Sequence, residues 1–195
     1  MHSTSASIHC PNPLCQTLNL ESQRFCQQCR TPLQKRYLWA VGAAEPLVPG
    51  TLLYDRYWVK QDAIVLDTQP ALSPMPPERI PGRVQPYLRL SAYSLHVPQV
   101  YGIVPMSVAH TEADVLLLEH APIYEADTSA EATLMPELAA AWGHSALRQL
   151  NWLWQIAQLW EPLSREGVAS TLLTPTLLRV EGSLVRLLEL RPDRS

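Results

Sequence analysis

All four cysteines of this 195-residue chain, Cys10, Cys15, Cys26 and Cys29, fall at its N-terminal end. They form two close pairs, C-x4-C and C-x2-C, separated by a ten-residue spacer of hairpin size. A close pair on a tight turn points both sulfurs at one spot. Two such turns facing each other make the tetrahedral four-thiolate site that Zn2+ takes. Pro11, Asn12 and Pro13 shape the first turn and Gln27 and Gln28 the second, while Phe25, the only phenylalanine, is expected as the floor of so small a module. The competing reading is two disulfides in an exported module. It fits poorly, because Met1–His9 lacks the apolar core of a secretory signal and no cysteine follows Cys29. Four thiolates leave no coordination position for water, so the expected metal is one structural zinc per chain rather than a catalytic ion. His9, beside Cys10, is read as a bystander.

A hydrophobic content of 47% with 17% charged residues excludes wholesale disorder. A net charge of −3 supplies no global basic field, so nucleic-acid binding would need a local patch. The first forty residues carry Arg24, Arg30, Lys35 and Arg36 against Glu21. A zinc ion with four thiolates has a net charge of about −2, which offsets much of that basic charge. Leu90–Thr111 is free of charged residues, but Pro98, Gly102 and Pro105 mark it as strand, turn and strand rather than a membrane span. The expected location is the cytoplasm.

Beyond the cysteines, residues 30–50 read as a connection, with AAEPLVPG at 43–50 carrying two prolines. Residues 51–59 and 63–67 read as strands, 70–86 as a proline-dense loop, 87–95 as a short helix, and 97–104 and 114–120 as strands. A short helix is expected over 134–142, with Pro136 in its first turn. A longer one is expected over 145 to about 160, with Glu161-Pro162 bending or ending it. Arg148, Asn151, Gln155 and Gln158 form one narrow polar stripe on that helix, and nearly everything else is apolar. A helix apolar on most sides is expected to be enclosed on most sides. Residues 168–173, 176–180 and 184–190 read as short strands, with Glu181-Gly182 as a hairpin turn.

Two strands, a proline-rich loop, a short helix, two strands, a buried helix, a loop and a hairpin resemble in their order a eukaryotic-type protein kinase domain. SLHVPQVYGIV at 94–104 resembles the segment after the kinase C-helix. DVLLLEHAPI at 114–123 resembles the strand and hinge joining the lobes, with Glu119, His120 and Ala121 as the hinge. Residues 159–190 resemble the end of the E-helix, the catalytic loop and the magnesium-loop strand. A zinc ribbon ahead of such a region is similar to the N-terminal regulatory part of bacterial serine/threonine kinases and PPM-type phosphatases. The resemblance implies an α+β chain: a four-cysteine zinc ribbon (1–36), a linker (37–50) and a truncated kinase-like domain (51–195). That domain would hold a β-rich N-lobe at about 51–120 and a partial C-lobe at about 121–195.

The same resemblance implies an erased active site. Ser170, Thr171 and Leu172 stand where His-Arg-Asp would stand, and leucine accepts no proton. Thr174 replaces the loop lysine, Leu177 the magnesium-binding asparagine, and Glu189 opens the triplet replacing Asp-Phe-Gly. No glycine lies between Gly50 and Gly82, and no lysine follows Lys60. Phosphoryl transfer rests on charges positioned around the phosphates, so no catalytic residue and no kinase activity are expected. His96, His110, His120, Glu119 and Asp127 form no spaced catalytic set. The chain reads as a trimmed pseudokinase or a fragment of a longer phosphatase, and its expected role is a non-catalytic regulatory module that binds a protein partner or controls an attached catalytic domain. The alternative is a zinc-ribbon protein associated with nucleic acid or the ribosome.

Overall fold

The computed structural model describes residues 6–77, 79–108, 111–125, 131–143 and 145–194; His110 and Asp127 lie outside them. The protein is a mixed α+β molecule divided into two compact units. Unit 1 comprises Met1–Pro76, Tyr101–Leu117 and Glu125–Thr133, and unit 2 comprises Pro77–Val100, Leu118–Tyr124 and Leu134–Ser195.

The N-terminal strands β1 (Ser7–His9) and β2 (Leu18–Leu20) pair antiparallel, Ile8 opposite Asn19. Next come β3 (Tyr37–Val41), β4 (Leu52–Leu53), β5 (Tyr57–Gln61) and β6 (Ile64–Asp67). With β7 (Gln99–Val108) and β8 (Thr111–Glu119) they form a six-stranded sheet in the order β4-β5-β6-β3-β8-β7. Tyr57 pairs with Asp67 and Val59 with Val65 across the β5–β6 hairpin. Asp62 makes its turn at φ 44°, a left-handed conformation that aspartate tolerates better than most residues.

Residues 37–41, expected within a connection, are a central strand paired antiparallel with β6. Leu38 and Ala40 enter the core there, while Tyr37 and Trp39 on the other face are also apolar, which hides the alternation in the sequence. One face of the sheet carries a core of Leu38, Tyr57, Val59, Val65, Val104, Val115 and Leu117. On the other face Leu66 packs with Ala6 and Ile8 of the ribbon beside Tyr37 and Trp58. All four residues of β6 are therefore buried, and its sequence reads as an unbroken apolar run ending in an aspartate.

A salt link ties that aspartate into the sheet. Arg56 grips Asp67 with two parallel bonds, Nε to Oδ1 at 2.8 Å and Nη2 to Oδ2 at 2.9 Å. Tyr101 donates to Asp67 Oδ2 at 2.6 Å, and Arg36 Nη1 donates to Tyr101 Oη at 3.2 Å. Arg56 also donates to the carbonyls of Gln69 and Leu72, so the start of the proline-dense loop is fastened to the sheet. Gly102 lets Pro74 of that loop approach: a Cβ at Gly102 would stand 2.8 Å from Pro74 Cβ.

Unit 2 opens with a 3-10 turn into α1 (Gln85–Arg89), whose Pro86 sits at the helix start where its missing N–H costs little. Strands β9 (Ile123–Glu125) and β10 (Ala132–Leu134) pair with each other. The helix expected at 134–142 is replaced by the end of β10, a Glu137–Arg179 bridge and turns. Helix α2 (Ala146–Arg165) continues through Pro162, and the fully buried Leu163 anchors the turn that follows. The segment expected as a strand at 168–173 is a 3-10 helix over Ala169–Leu173. A hairpin of β11 (Leu178–Glu181) and β12 (Leu184–Leu187) follows, with Gly182 turning at φ 61°. Trp152, Leu159, Leu163, Val185 and Leu187 are its unit's most deeply buried apolar residues near α2 and the hairpin.

The expected enclosure of α2 is not observed. Leu147, Leu150, Leu153, Trp154 and Trp160 are exposed. The polar stripe instead points inward in part: Gln155 is buried, its Nε2 donating to Ser183 O at 2.8 Å and its Oε1 accepting from Val185 N at 2.9 Å. Asn151 Nδ2 also donates to Ser183 O, at 2.9 Å. Polar side chains seat this helix on the hairpin turn, and its apolar excess faces outward.

Candidate metal centre

The four cysteines converge. Their sulfurs all lie within 4.8 Å of one another, the one such cluster of metal-binding side chains among the described residues. Cys10 and Cys29 Sγ are 3.5 Å apart, and Cys15 and Cys26 Sγ 3.7 Å. Both are far beyond a sulfur–sulfur bond of about 2.05 Å. A tetrahedral ion with about 2.3 Å bonds to sulfur would place its ligands about 3.8 Å apart, so the set fits such an ion. All four thiols are unbonded to one another, and the disulfide reading falls away.

Two matching turns build the site. Cys10 N donates to Thr17 O at 2.9 Å, and Cys26 N to Thr31 O at 2.8 Å, each closing a knuckle. The residue after the second cysteine of each pair takes left-handed backbone, Gln16 at φ 50° and Arg30 at φ 63°. Neither is glycine, so each conformation costs on the order of 1 kcal/mol, which the closed turn holds in place. A threonine then returns to the sulfur: Thr17 Oγ1 lies 3.2 Å from Cys15 Sγ, and Thr31 Oγ1 3.1 Å from Cys29 Sγ. The repeated Cys-x-Thr, CQT at 15–17 and CRT at 29–31, is a sequence signal that cysteine spacing alone passes over.

Asn19 joins the two halves. Buried opposite Ile8, it donates Nδ2 to Thr17 O at 2.7 Å and to Cys26 Sγ at 3.6 Å, and it accepts from Gln27 N at 3.0 Å. The floor is Leu33 with Cys10 and Cys26; Phe25, expected there, is 54% exposed. His9 stands outside the cluster, its Nδ1 3.3 Å from Gln16 O.

The thiols are not equivalent. Burial pushes Cys10 up to about 12. Hydrogen bonds from the Thr31 hydroxyl and backbone bring Cys29 down to about 6. The backbone N–H of Cys29 lowers Cys26 as well. A bound cation would complete the deprotonation, and ion uptake by such a cluster releases protons. With four thiolates around it the ion would cross-link the fold and keep no open position.

The positions that the kinase resemblance singles out do not form a second centre. Thr171 is fully buried, and its hydroxyl accepts from Arg191 N at 2.8 Å. Ser170 donates through Oγ to Arg191 O at 3.0 Å and through its backbone N–H to Asp193 Oδ1 at 2.6 Å. Thr174 donates to Ser170 O at 3.0 Å. Leu172 and Leu177 are core residues, and Glu189 is half-buried. Glu119 ends β8 and His120 and Ala121 turn the chain after it, with His120 at φ 57° and its carbonyl accepting from Arg186. His96 is spent on Val185 O, 2.7 Å from its Nδ1.

No helix among the described residues is long and apolar enough to cross a membrane. Comparison with protein-family models, curated proteins and solved structures finds no match to this chain.

Proposed function

We propose that the chain is a non-catalytic regulatory or protein-interaction module. It joins a structural zinc ribbon to a degenerate kinase-like region and acts in the cytoplasm, in serine/threonine phosphorylation signalling or on an attached PPM-type phosphatase. The observation that carries this reading is the use made of Ser170–Leu177. Of the five positions matched there to kinase catalytic groups, Leu172 and Leu177 fill the core and Ser170, Thr171 and Thr174 bond backbone, so each is engaged in holding the fold. Transfer of a phosphoryl group needs a base and cations held around the phosphates. The order β7, β8, α2, 3-10 loop and hairpin agrees with the kinase resemblance; β3, in the middle of the sheet, is an addition to it.

The nucleic-acid alternative draws less support. Lys35 pairs with Glu125, and Arg36 stacks on Tyr101 with its Cζ 5.1 Å from the ring centroid. Only Arg24 and Arg30 of the four basic ribbon residues remain exposed. Phosphate-driven affinity scales with the number of cations offered, and two are few.

The test pairs metal and nucleotide. The purified chain is expected to carry one zinc, lost in Cys26→Ser, and to show neither phosphate transfer from ATP–Mg2+ nor a rise in Tm with it. Labelled phosphate appearing on any acceptor, or stabilisation by several degrees, would overturn the non-catalytic reading.

A further inference from the structure

The outward side of α2 carries Leu147, Leu150, Trp154 and Ala157, all exposed, the first three at 78%, 64% and 60%. Their 3-4-3 spacing is that of a coiled-coil seam, and it continues as Glu161 and Ser164. Leu153 and Trp160, also exposed, widen the stripe on one flank. Pairing across the helix is already complete on its inward side, where Trp152, Gln155, Leu159 and Leu163 are buried. The seam is therefore surplus to the packing of its own unit.

We propose that this face is the interface of a homodimer, in which α2 packs antiparallel against α2 of a second copy. Three observations select a second copy as the occupant. The first is area. Six partly exposed side chains, two of them tryptophans of about 150–250 Å2 each, present several hundred Å2 of apolar surface. That is the scale of the largest apolar patches on monomers, which are often functional, and it would supply much of the ~800 Å2 that each partner contributes to a standard interface.

The second is charge. From Ala146 to Trp160 the helix carries a single charge, Arg148, which lies off the seam. An acidic or basic partner finds nothing to read there. A lipid surface would call for a row of cations on the polar side, which this helix lacks.

The third is shape. An isologous contact must be complementary to itself. With the two-fold axis at the level of residue 152, Leu147 meets the second copy's Ala157 and Leu150 meets its Trp154, so every layer combines a larger with a smaller side chain. A parallel pair would stack Trp154 on Trp154 and Ala157 on Ala157, a bulge beside a gap. The seam turns polar at Glu161, which caps the overlap at its C-terminal end.

Sedimentation of the full chain is expected to show a concentration-dependent dimer. Trp154→Glu and Leu150→Glu should each raise its Kd by at least about tenfold, as loss of a central anchor does. Both side chains are largely exposed in the protomer, so zinc content, and the Tm measured at concentrations where the parent is also monomeric, should match the parent. Leu173→Glu, at an exposed leucine off this helix, should leave the dimer intact. A photo-crosslinker at position 150 is expected to capture the second copy's peptide around Trp154. A chain monomeric at roughly 100 µM, where a standard-size interface would be occupied, overturns the proposal. So does a dimer unaffected by both glutamate variants, and capture of residues 147–150 overturns the antiparallel arrangement.

Discussion

Asp67 shows how one residue can organise a sheet without being visible in the sequence. It is the last residue of the strand expected over 63–67, and nothing beside it in the sequence marks it as buried. In the fold it is fully buried, gripped by Arg56 and Tyr101, and its backbone pairs opposite Tyr57. Burial alone would raise its carboxyl, but the Arg56 and Tyr101 hydrogen bonds outweigh burial and hold it below the ordinary carboxylate value. Its folded value thus lies below its unfolded one of about 3.9, so the bond stabilises the protein above about pH 4 and is lost as pH falls through the folded value. Asp67→Asn leaves Arg56 unpaired and is expected to cost about 3–5 kcal/mol at neutral pH in denaturant titration. The same variant should flatten the acid limb of the stability curve, and an unchanged acid limb would count against Asp67 as its source. The four cysteines, by contrast, are legible at once, because ligand spacing is local. Of their supports, Thr17 and Thr31 show only as the repeated Cys-x-Thr, and Asn19 has no such mark, since it acts through hydrogen bonds that composition does not encode.

Among the elements, α2 and β3 depart from expectation for one reason. Periodicity tells how apolar a face is, not which neighbour it meets. In β3 both faces are apolar because the core lies on one side and the sheet's second layer on the other. In α2 the fraction of apolar positions promises enclosure, yet only one side is buried, where Trp152, Leu159 and Leu163 are joined by the amide of Gln155. Gln155 satisfies one donor and one acceptor of the β11–β12 turn. Gln155→Leu keeps the bulk but strands Val185 N, and should cost about 1–3 kcal/mol. Amide exchange at Val185, faster by a matching factor, is the measurement that checks it. The strands expected at 97–104 and 114–120 are present with only their ends displaced, and the second hairpin turns where its sequence places the turn. Short segments such as 134–142 and 168–173 carry too few residues for either period to declare itself.

At the scale of the whole molecule, buried contacts fasten the four-cysteine ribbon to the sheet of unit 1. Glu21, on the ribbon between β2 and the second knuckle, is buried against the sheet. Lys60 Nζ bonds both its oxygens at 2.9 and 2.7 Å, and Tyr37 Oη donates to it at 3.0 Å. His9 N donates to Thr68 O at 2.8 Å, and Ala6 and Ile8 close the face over Leu66. An ion bound by the four cysteines would therefore be linked to the stability of β5 and β6 as well as to the knuckles. Chelation of the metal should lower amide protection across Tyr57–Asp67 while β11–β12 in unit 2 keeps its protection. Equal loss in both hairpins, or in neither, would contradict that linkage.

The same fastening has a practical side. The chain holds only two lysines, and each is engaged, Lys35 with Glu125 and Lys60 with Glu21, their side chains 15% and 17% accessible. Amine-directed reagents will thus find little to modify at the lysines of the native protein. Acylation of Lys60 becomes a ready gauge of whether the ribbon has lifted from its sheet, since its ammonium is freed only when Glu21 leaves.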